Sequence, residues 1–275
     1  MFKTFKFTRK VENILMLIFT AIFLIYISLS PDMSIDSLKG VLVIGVTVGI
    51  IYGLVAVGIS LIYTGLDVVN FSHGEFFMIG AFTGLTVYNF LVDGELIYAI
   101  FPEAYGVVGY VIGLFFAFVL MGLFGVLIER IFLRPLTKKG GGYTVAGMGI
   151  IICGFGLSVI LQNIAYLIWN PTAHPFHADL GLPINIAGTL VGPTYQVVVY
   201  MGYIILLKAF ASAVVGGFGS LPGAIVGGFT VGLFETACSF FISGSHKDAY
   251  AFLLMVVVLL IKPTGFFGVQ VKMKA

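Results

Sequence analysis

Four polar side chains with hydrogen-bonding or acid–base chemistry lie close together in a run of the sequence that is apolar on both sides. They are Asn70, Ser72, His73 and Glu75, and Asp67 precedes them. In hydrocarbon, each unpaired amide or hydroxyl costs several kcal/mol, and a charge at mid-bilayer costs at least about 2.5 to 3.5 kcal/mol. We therefore expect this cluster to line a polar path or a binding site inside a helix bundle.

The spacing of the cluster bears on the shape of the helix that carries it. On an ideal helix with about 100° per residue, Asn70 and His73 share one side, and Ser72 and Glu75 lie roughly opposite. One smooth helix cannot aim all four at one cavity, so the helix is either broken near Gly74 or buried on both sides. Broken helices expose backbone groups to a solute at mid-membrane. The alternative is that these side chains only bond neighbouring helices.

Two further charged residues, Lys208 and Glu235, lie within apolar runs and are candidates for the same pathway. Lys208 either snorkels towards the cytoplasmic end of its helix or faces a polar path, where it would pair with Glu75 or Glu235. Glu235, beside glycines, is more typical of a helix–helix hydrogen bond than of a ligand. Glycine and proline residues between these two positions predict a helix break. The predicted break comprises Gly219, Pro222 and Gly223.

The elements that must position these side chains are membrane helices. Hydrophobic residues make up 60% of the 275 residues and charged residues only 9%, whereas soluble domains carry about 25% charged residues. Since one span needs about 20 mostly apolar residues, we predict an all-α polytopic integral membrane protein with about eight transmembrane helices, some broken or re-entrant. The predicted spans are roughly 11–29, 41–64, 67–91, 105–127, 143–169, 196–215, 224–242 and 249–261.

Glycine spacing predicts which spans pack closely. Gly45, Gly49 and Gly53 recur every fourth residue, so one face of the second span is a bare groove where another helix can approach closely. Gly228 and Gly232 have the same spacing in the seventh span.

Charge distribution predicts the organisation and sidedness of the chain. Residues 1–40 would form a signal-anchor span and an outer loop, 41–268 the transmembrane domain and 269–275 a cytoplasmic tail. The basic N-terminus before a long apolar run also fits a removed signal peptide, although the run exceeds the usual length of about 7 to 15 residues. Eight crossings put the basic N-terminus, the basic loop 129–139 and the basic C-terminus on one side, and the acidic loop 93–103 on the other. By the positive-inside rule, both termini are therefore predicted to be cytoplasmic.

Several function classes are excluded by the sequence. It contains no P-loop motif for ATP and no nucleophile–base arrangement or zinc-protease motif, so an enzyme is not predicted. His174 and His177 lie in a proline-rich stretch without a third ligand nearby, so no metal or other cofactor is expected. The net charge of +2 and the absence of a basic tract argue against a nucleic-acid partner. Cys153 and Cys238 lie in apolar runs and are expected to be unpaired.

The order and spacing of several motifs resemble those of the permeases of branched-chain amino acid ABC transporters, of the LivH type. The resemblance covers about residues 41–268. In the first half it rests on Gly53–Ala56, Leu61–Tyr63, Val69–Glu75, Glu129–Arg130, Arg134–Leu136, Gly156–Ser158 and Leu161–Asn163. In the second half it rests on Lys208–Phe210, Gly216–Ala224, Lys247–Asp248 and Lys262–Gly265.

This resemblance implies partners in a prokaryotic cytoplasmic (inner) membrane. They would be a second homologous permease subunit, two cytoplasmic ATPase subunits and an extracytoplasmic binding protein that delivers leucine, isoleucine or valine. Related members carry urea or short amides. A zwitterion with an aliphatic tail could use His73 or a helix N-terminus for its carboxylate and Glu75 or free carbonyls for its ammonium. Phe71, Phe76 and Phe77 could line an apolar pocket for the tail.

The chain departs from the family pattern between residues 193 and 208, where two spans and the segment that docks onto the ATPase are expected to be missing. The remaining sizeable cytoplasmic loop is then 129–142, and four of its residues are candidates to face the ATPase. They are Glu129, Arg130, Arg134 and Pro135. Two other interpretations stay open: a secondary carrier or facilitator for a small polar solute such as urea or amides, and a shortened, uncoupled permease.

Overall fold

The fold, described from a computed structural model, is built from α-helices, as predicted. The structure describes residues 9–31, 33–93, 96–101, 105–137, 145–170, 172 and 197–268. The helices are α1 (Arg9–Ser28), α2 (Ile35–Leu66), α3 (His73–Asp93), α4 (Leu96–Ile100), α5 (Tyr105–Ile128), α6 (Arg134–Thr137), α7 (Val145–Trp169), α8 (Met201–Gly216), α9 (Leu221–Phe241) and α10 (Lys247–Ile261). The predictions for the tail 269–275, for the start of the sixth span and for the stretch with His174 and His177 lie outside the described residues.

Each of the eight predicted spans coincides largely with one of the longer helices, α1, α2, α3, α5, α7, α8, α9 or α10. Among the described residues, five segments are long and apolar enough to cross a membrane by length and composition. These segments are Ile35–Gly65, Tyr105–Leu136, Met148–Trp169, Leu221–Phe241 and Gly244–Ile261. Helix α8 is apolar but shorter. The prediction of an all-α polytopic membrane protein is thereby confirmed.

The chain divides into two compact units. Unit 1 comprises Met1–Leu61 and Leu207–Ala275, and unit 2 comprises Ile62–Leu206.

In unit 1, α2 and α9 meet along their glycines. A Cβ atom built on Gly232 would lie 2.5 Å from the backbone nitrogen and 2.6 Å from the Cα of Gly49. One built on Gly45 would lie 3.1 Å from the Cα of Leu233. The close helix packing predicted from the four-residue glycine spacing is therefore confirmed, and its partner helix is α9.

The junction between α8 and α9 is a tight turn with left-handed backbone at Gly217 (φ 110°) and Gly219 (φ 83°). Side chains other than glycine rarely adopt these angles. The Ser220 hydroxyl accepts a hydrogen bond from the Gly223 N–H at 3.2 Å and caps α9, with Pro222 in the first turn. The helix break predicted here is present, but Pro222 and Gly223 belong to the start of α9.

In unit 2, α3 packs against α5 and α7 around an apolar cluster of Ile128, Leu157 and Leu161. Gly74 does not break the helix, contrary to prediction, because it is the second residue of α3. The interruption lies upstream, between the end of α2 at Leu66 and the start of α3 at His73.

The segment after α5, which was predicted to be a loop, is helical over its described part, Glu129–Thr137. The predicted loop conformation is wrong there, and the cytoplasmic location of the segment stays a prediction. A π-helical turn, Glu129–Leu133, continues α5 into α6, and the Arg134 N–H bonds the carbonyl of Glu129. Pro135 has no N–H and its ring crowds the preceding turn. A π turn relieves this crowding within a helix, so the proline does not end the helix. Glu129, Arg130, Arg134 and Pro135 are all exposed on it.

Candidate functional site

The link between α2 and α3 is held in shape by Asn70. The Asn70 side-chain oxygen accepts hydrogen bonds from the Ser72 N–H at 3.1 Å and from the Ser72 hydroxyl at 2.8 Å. Both side chains are buried, with exposed fractions of 3% and 0%. Asp67 has a left-handed backbone (φ 54°) and is exposed, so it does not share the buried environment expected for it. The buried polar groups of the link therefore satisfy one another.

Helix α7 leaves room for this link at Gly154. A Cβ atom built on Gly154 would lie 2.8 Å from the Asn70 side-chain oxygen and 3.2 Å from the Phe71 nitrogen. Phe71 then stacks on Phe155, with ring centroids 4.3 Å apart. The link is thus fixed against α7 by both a close backbone approach and an aromatic contact.

Glu75, in the first turn of α3, is completely buried and bonds α7. Its Oε1 accepts hydrogen bonds from the Ser158 hydroxyl and from the Gln162 amide nitrogen, both at 2.8 Å. Its Oε2 has no hydrogen-bond partner within the described part of the chain, and no basic group there lies within salt-bridge distance of the carboxyl. A buried carboxylate with only neutral partners is costly, so Glu75 is a candidate functional residue.

Helix α8 crosses α3 beside Glu75 through a contact between two glycines. A Cβ atom on Gly202 would lie 2.6 Å from the Gly74 carbonyl oxygen and 2.9 Å from the Glu75 Oε2. A Cβ atom on Gly74 would clash with the Gly202 carbonyl oxygen. Both positions therefore require glycine for the backbones to approach, and Gly74 has a packing role in place of the break that was predicted.

A cavity of about 260 Å³ is lined in part by Ser158 and Gln162, the two residues that bond Glu75. It is lined by Phe71, Phe155, Ser158, Val159, Gln162, Tyr200, Tyr203 and Leu206. The cavity is mostly apolar, with the Gln162 amide, the Ser158 hydroxyl and two tyrosines as its polar groups. Glu75 itself is not among the lining residues.

Two other predicted pathway residues, Phe76 and His73, do not line this cavity. Phe76 packs against the apolar cluster around Ile128 and its ring lies 5.6 Å from that of Phe124. His73 is half-buried at the start of α3, where its N–H bonds the Asn70 carbonyl at 3.3 Å.

Unit 1 contains a second buried polar cluster, centred on Lys208 in α8. Its ammonium nitrogen lies 2.6 Å from the Glu235 Oε1 and 2.6 Å from the Asp248 Oδ1. The Tyr52 hydroxyl donates to Glu235 at 3.2 Å. The side chains of Lys208 and Glu235 are only 4% and 7% exposed, so the snorkelling interpretation is wrong and pairing with Glu235 is confirmed. The cluster joins α2, α8, α9 and α10.

Four residues of these networks were not predicted from the sequence as site residues: Ser158, Gln162, Tyr52 and Asp248. Ser158 and Gln162 stand four residues apart on an apolar helix, which places them on one face. That four-residue spacing of polar residues could have identified Ser158 and Gln162 from the sequence. Tyr52 and Asp248 carried no comparable signal, because tyrosine and a first-turn aspartate are ordinary at helix positions.

Apolar helices of spanning length, an interruption between two helices and buried polar networks are typical of α-helical membrane transport proteins. The chain belongs to the family described as the permease component of branched-chain amino acid transport systems, whose sequence model matches residues 41–176 and 185–261. It is therefore an integral membrane protein and a transport component, not itself an enzyme.

Curated relatives agree with this membership. The chain is 28% identical over 303 residues to the high-affinity branched-chain amino acid transport system permease protein LivH of Escherichia coli (strain K12), covering 82% of this chain and 93% of the relative. It is 27% identical over 307 residues to the permease BraD of Pseudomonas aeruginosa, covering 82% and 94%. A probable LivH of Methanocaldococcus jannaschii is 22% identical over 284 residues, covering 80% and 89%. No solved structure gave a significant match.

The length of these matches bears on the predicted shortening. The 303-residue match to the Escherichia coli relative is longer than this 275-residue chain. That relative therefore contains residues within the matched stretch that this chain lacks. The shortening is present, and its position between residues 193 and 208 stays a prediction.

Proposed function

We propose that this chain is the membrane-spanning permease subunit of an ATP-driven importer for branched-chain amino acids. The observation that carries the proposal is the family match over residues 41–176 and 185–261. The names of the relatives, which are branched-chain amino acid transport permeases, support the choice of substrate.

The proposed transporter has four kinds of subunit or component in a prokaryotic inner membrane. This chain and a second homologous permease form the pathway, two cytoplasmic ATPase subunits drive it, and an extracytoplasmic binding protein delivers the amino acid. Both termini of this chain are cytoplasmic in the proposal, because the basic N-terminus and the basic segment 129–139 then lie inside.

Coupling to the ATPase is assigned to the helical segment after α5. Glu129, Arg130 and Arg134 are exposed there, and the π turn makes the segment continuous with α5. A continuous helix can transmit a displacement from the ATPase to the membrane-embedded part of α5. The proposal also places four polar residues on the substrate pathway, where they hold the link between α2 and α3 and its contacts to α7. They are Asn70, Ser72, His73 and Glu75.

The test is affinity purification of the tagged chain in detergent from cells that contain all candidate partners, followed by an ATPase assay. We expect the ATPase subunits to co-purify, and we expect leucine with its binding protein to stimulate ATP hydrolysis. Uptake by the chain alone under an ion gradient would instead identify a secondary carrier. If the ATPase subunits do not co-purify and the chain alone shows no uptake, the chain is an uncoupled permease. The shortening of this chain relative to its relatives would account for that outcome.

A further inference from the structure

The cavity beside Glu75 has hydrogen-bond acceptors among its lining groups. Two of its lining residues, Ser158 and Gln162, donate hydrogen bonds to the Glu75 Oε1. The Ser158 proton and one Gln162 N–H are then used, and the Gln162 carbonyl oxygen and the Ser158 lone pairs remain as acceptors beside the second Gln162 N–H. No hydrogen bond to the Gln162 carbonyl oxygen occurs within the described residues. The wall therefore offers acceptors backed by a buried carboxyl group.

The charge of this region points in the same direction. Glu75 is completely buried, its Oε2 lacks a partner among the described residues, and no base there pairs with it. An opposite charge held at Gln162 and Ser158 would offset the cost of burying the carboxylate. A primary ammonium supplies both that charge and three hydrogen-bond donors.

The remaining walls suit a short apolar tail. Phe71, Phe155, Val159 and Leu206 line the cavity, and its volume of about 260 Å³ falls just below the roughly 300 to 1,000 Å³ of pockets for drug-sized ligands.

We propose that this cavity is a binding site for a primary ammonium group on a short apolar tail, with Gln162 and Ser158 as the contacting groups and Glu75 as the charge behind them. The assignment of this molecule as the transported amino acid rests on the proposed function. Glu75 then acts as a positioning residue, because it fixes the Gln162 amide and does not itself line the cavity.

The test measures binding of isopentylamine and of 3-methylbutan-1-ol, its neutral counterpart, to the full chain in detergent by saturation-transfer NMR. We expect the amine to bind at least about 10-fold more tightly than the alcohol, because hydrogen bonds that involve a charged group are stronger than those between neutral groups. Glu75→Gln and Gln162→Met should both remove this preference. Asn163→Met is the matched control, because Asn163 is an exposed amide that bonds the Val159 carbonyl, and it should retain the preference.

Equal binding of amine and alcohol to the unmodified chain would overturn the proposal, and so would a preference that survives Gln162→Met. Gln162→Met keeps the test valid if Glu75→Gln does not fold. Gln162 is only half-buried, so its replacement is better tolerated by the fold. Leucine should displace the amine, whereas displacement by short-chain phosphatidylethanolamine and not by leucine would assign the site to lipid and contradict the inference. Failure of leucine transport by the assembled complex, with the amine preference intact, would instead reject the proposed function and leave the site standing.

Discussion

Replacing Lys208 with methionine is expected to destabilise the solubilised protein by about 3 to 5 kcal/mol, the usual result of removing one partner from a buried ion pair. The ammonium of Lys208 lies 2.6 Å from Glu235, whose side chain is 7% exposed. Without it Glu235 keeps the Tyr52 hydrogen bond but has no opposite charge nearby among the residues that the structure describes. Asp248 contributes less to this loss, because its side chain is 55% exposed and water can replace the lysine. The measurement is the midpoint of thermal unfolding in detergent, followed by size-exclusion chromatography.

The control for this variant is Lys39→Met. Lys39 pairs with Asp36 at 3.5 Å, but the two side chains are 71% and 93% exposed, so its loss should change stability by less than about 1 kcal/mol. Adding Glu235→Gln to Lys208→Met should recover much of the lost stability, because the uncompensated charge is then removed. Equal midpoints for Lys208→Met and Lys39→Met would show that the buried pair contributes nothing to folding.

Gly232→Ala is the second substitution with a large expected effect. The added Cβ would lie 2.5 Å from the nitrogen and 2.6 Å from the Cα of Gly49, which are backbone atoms that cannot rotate away. Helices α2 and α9 must then separate, and overpacking of this kind costs about 1 to 3 kcal/mol or more. The expected result is a lower unfolding midpoint and a smaller yield of monodisperse protein.

Gly122→Ala tests whether this effect is one of packing. Gly122 lies on α5, and a Cβ atom there would have nothing within 4 Å. Alanine is also the better helix former by about 1 kcal/mol, so the midpoint should stay the same or rise. Equal unfolding temperatures for Gly232→Ala and Gly122→Ala would show that stability does not depend on the close contact between α2 and α9 at Gly232.

The contact between α2 and α9 could be predicted because a four-residue glycine spacing defines a helix face without knowledge of the partner. The partner of Lys208 could not be chosen, because Glu75 and Glu235 were both available and the sequence does not show which helices are neighbours. The structure identifies the partner: the Glu235 carboxyl lies 2.6 Å from the Lys208 ammonium, whereas the Glu75 carboxyl bonds Ser158 and Gln162.

The errors have physical causes in local backbone chemistry. Gly74 suggested a break because glycine is flexible, but a glycine within a helix also permits two backbones to touch, and the contact with Gly202 is of that kind. Asn70, whose side chain closes the link before α3, was the better signal of the interruption. The charged residues and Pro135 suggested a loop after α5. The segment is helical because a π turn accommodates the proline, and sequence composition gives no sign of such a turn.

Leucine uptake into proteoliposomes tests the central claim most directly, namely that the Glu75 network lies on the substrate pathway. The assembled transporter would be reconstituted with ATP on the ATPase side, and initial uptake would be compared for the unmodified chain, Glu75→Gln and Asn163→Ala. We predict ATP-dependent uptake for the unmodified chain and for Asn163→Ala, and at least about a 10-fold loss for Glu75→Gln at equal assembly. Uptake by Glu75→Gln at the unmodified rate would contradict the account.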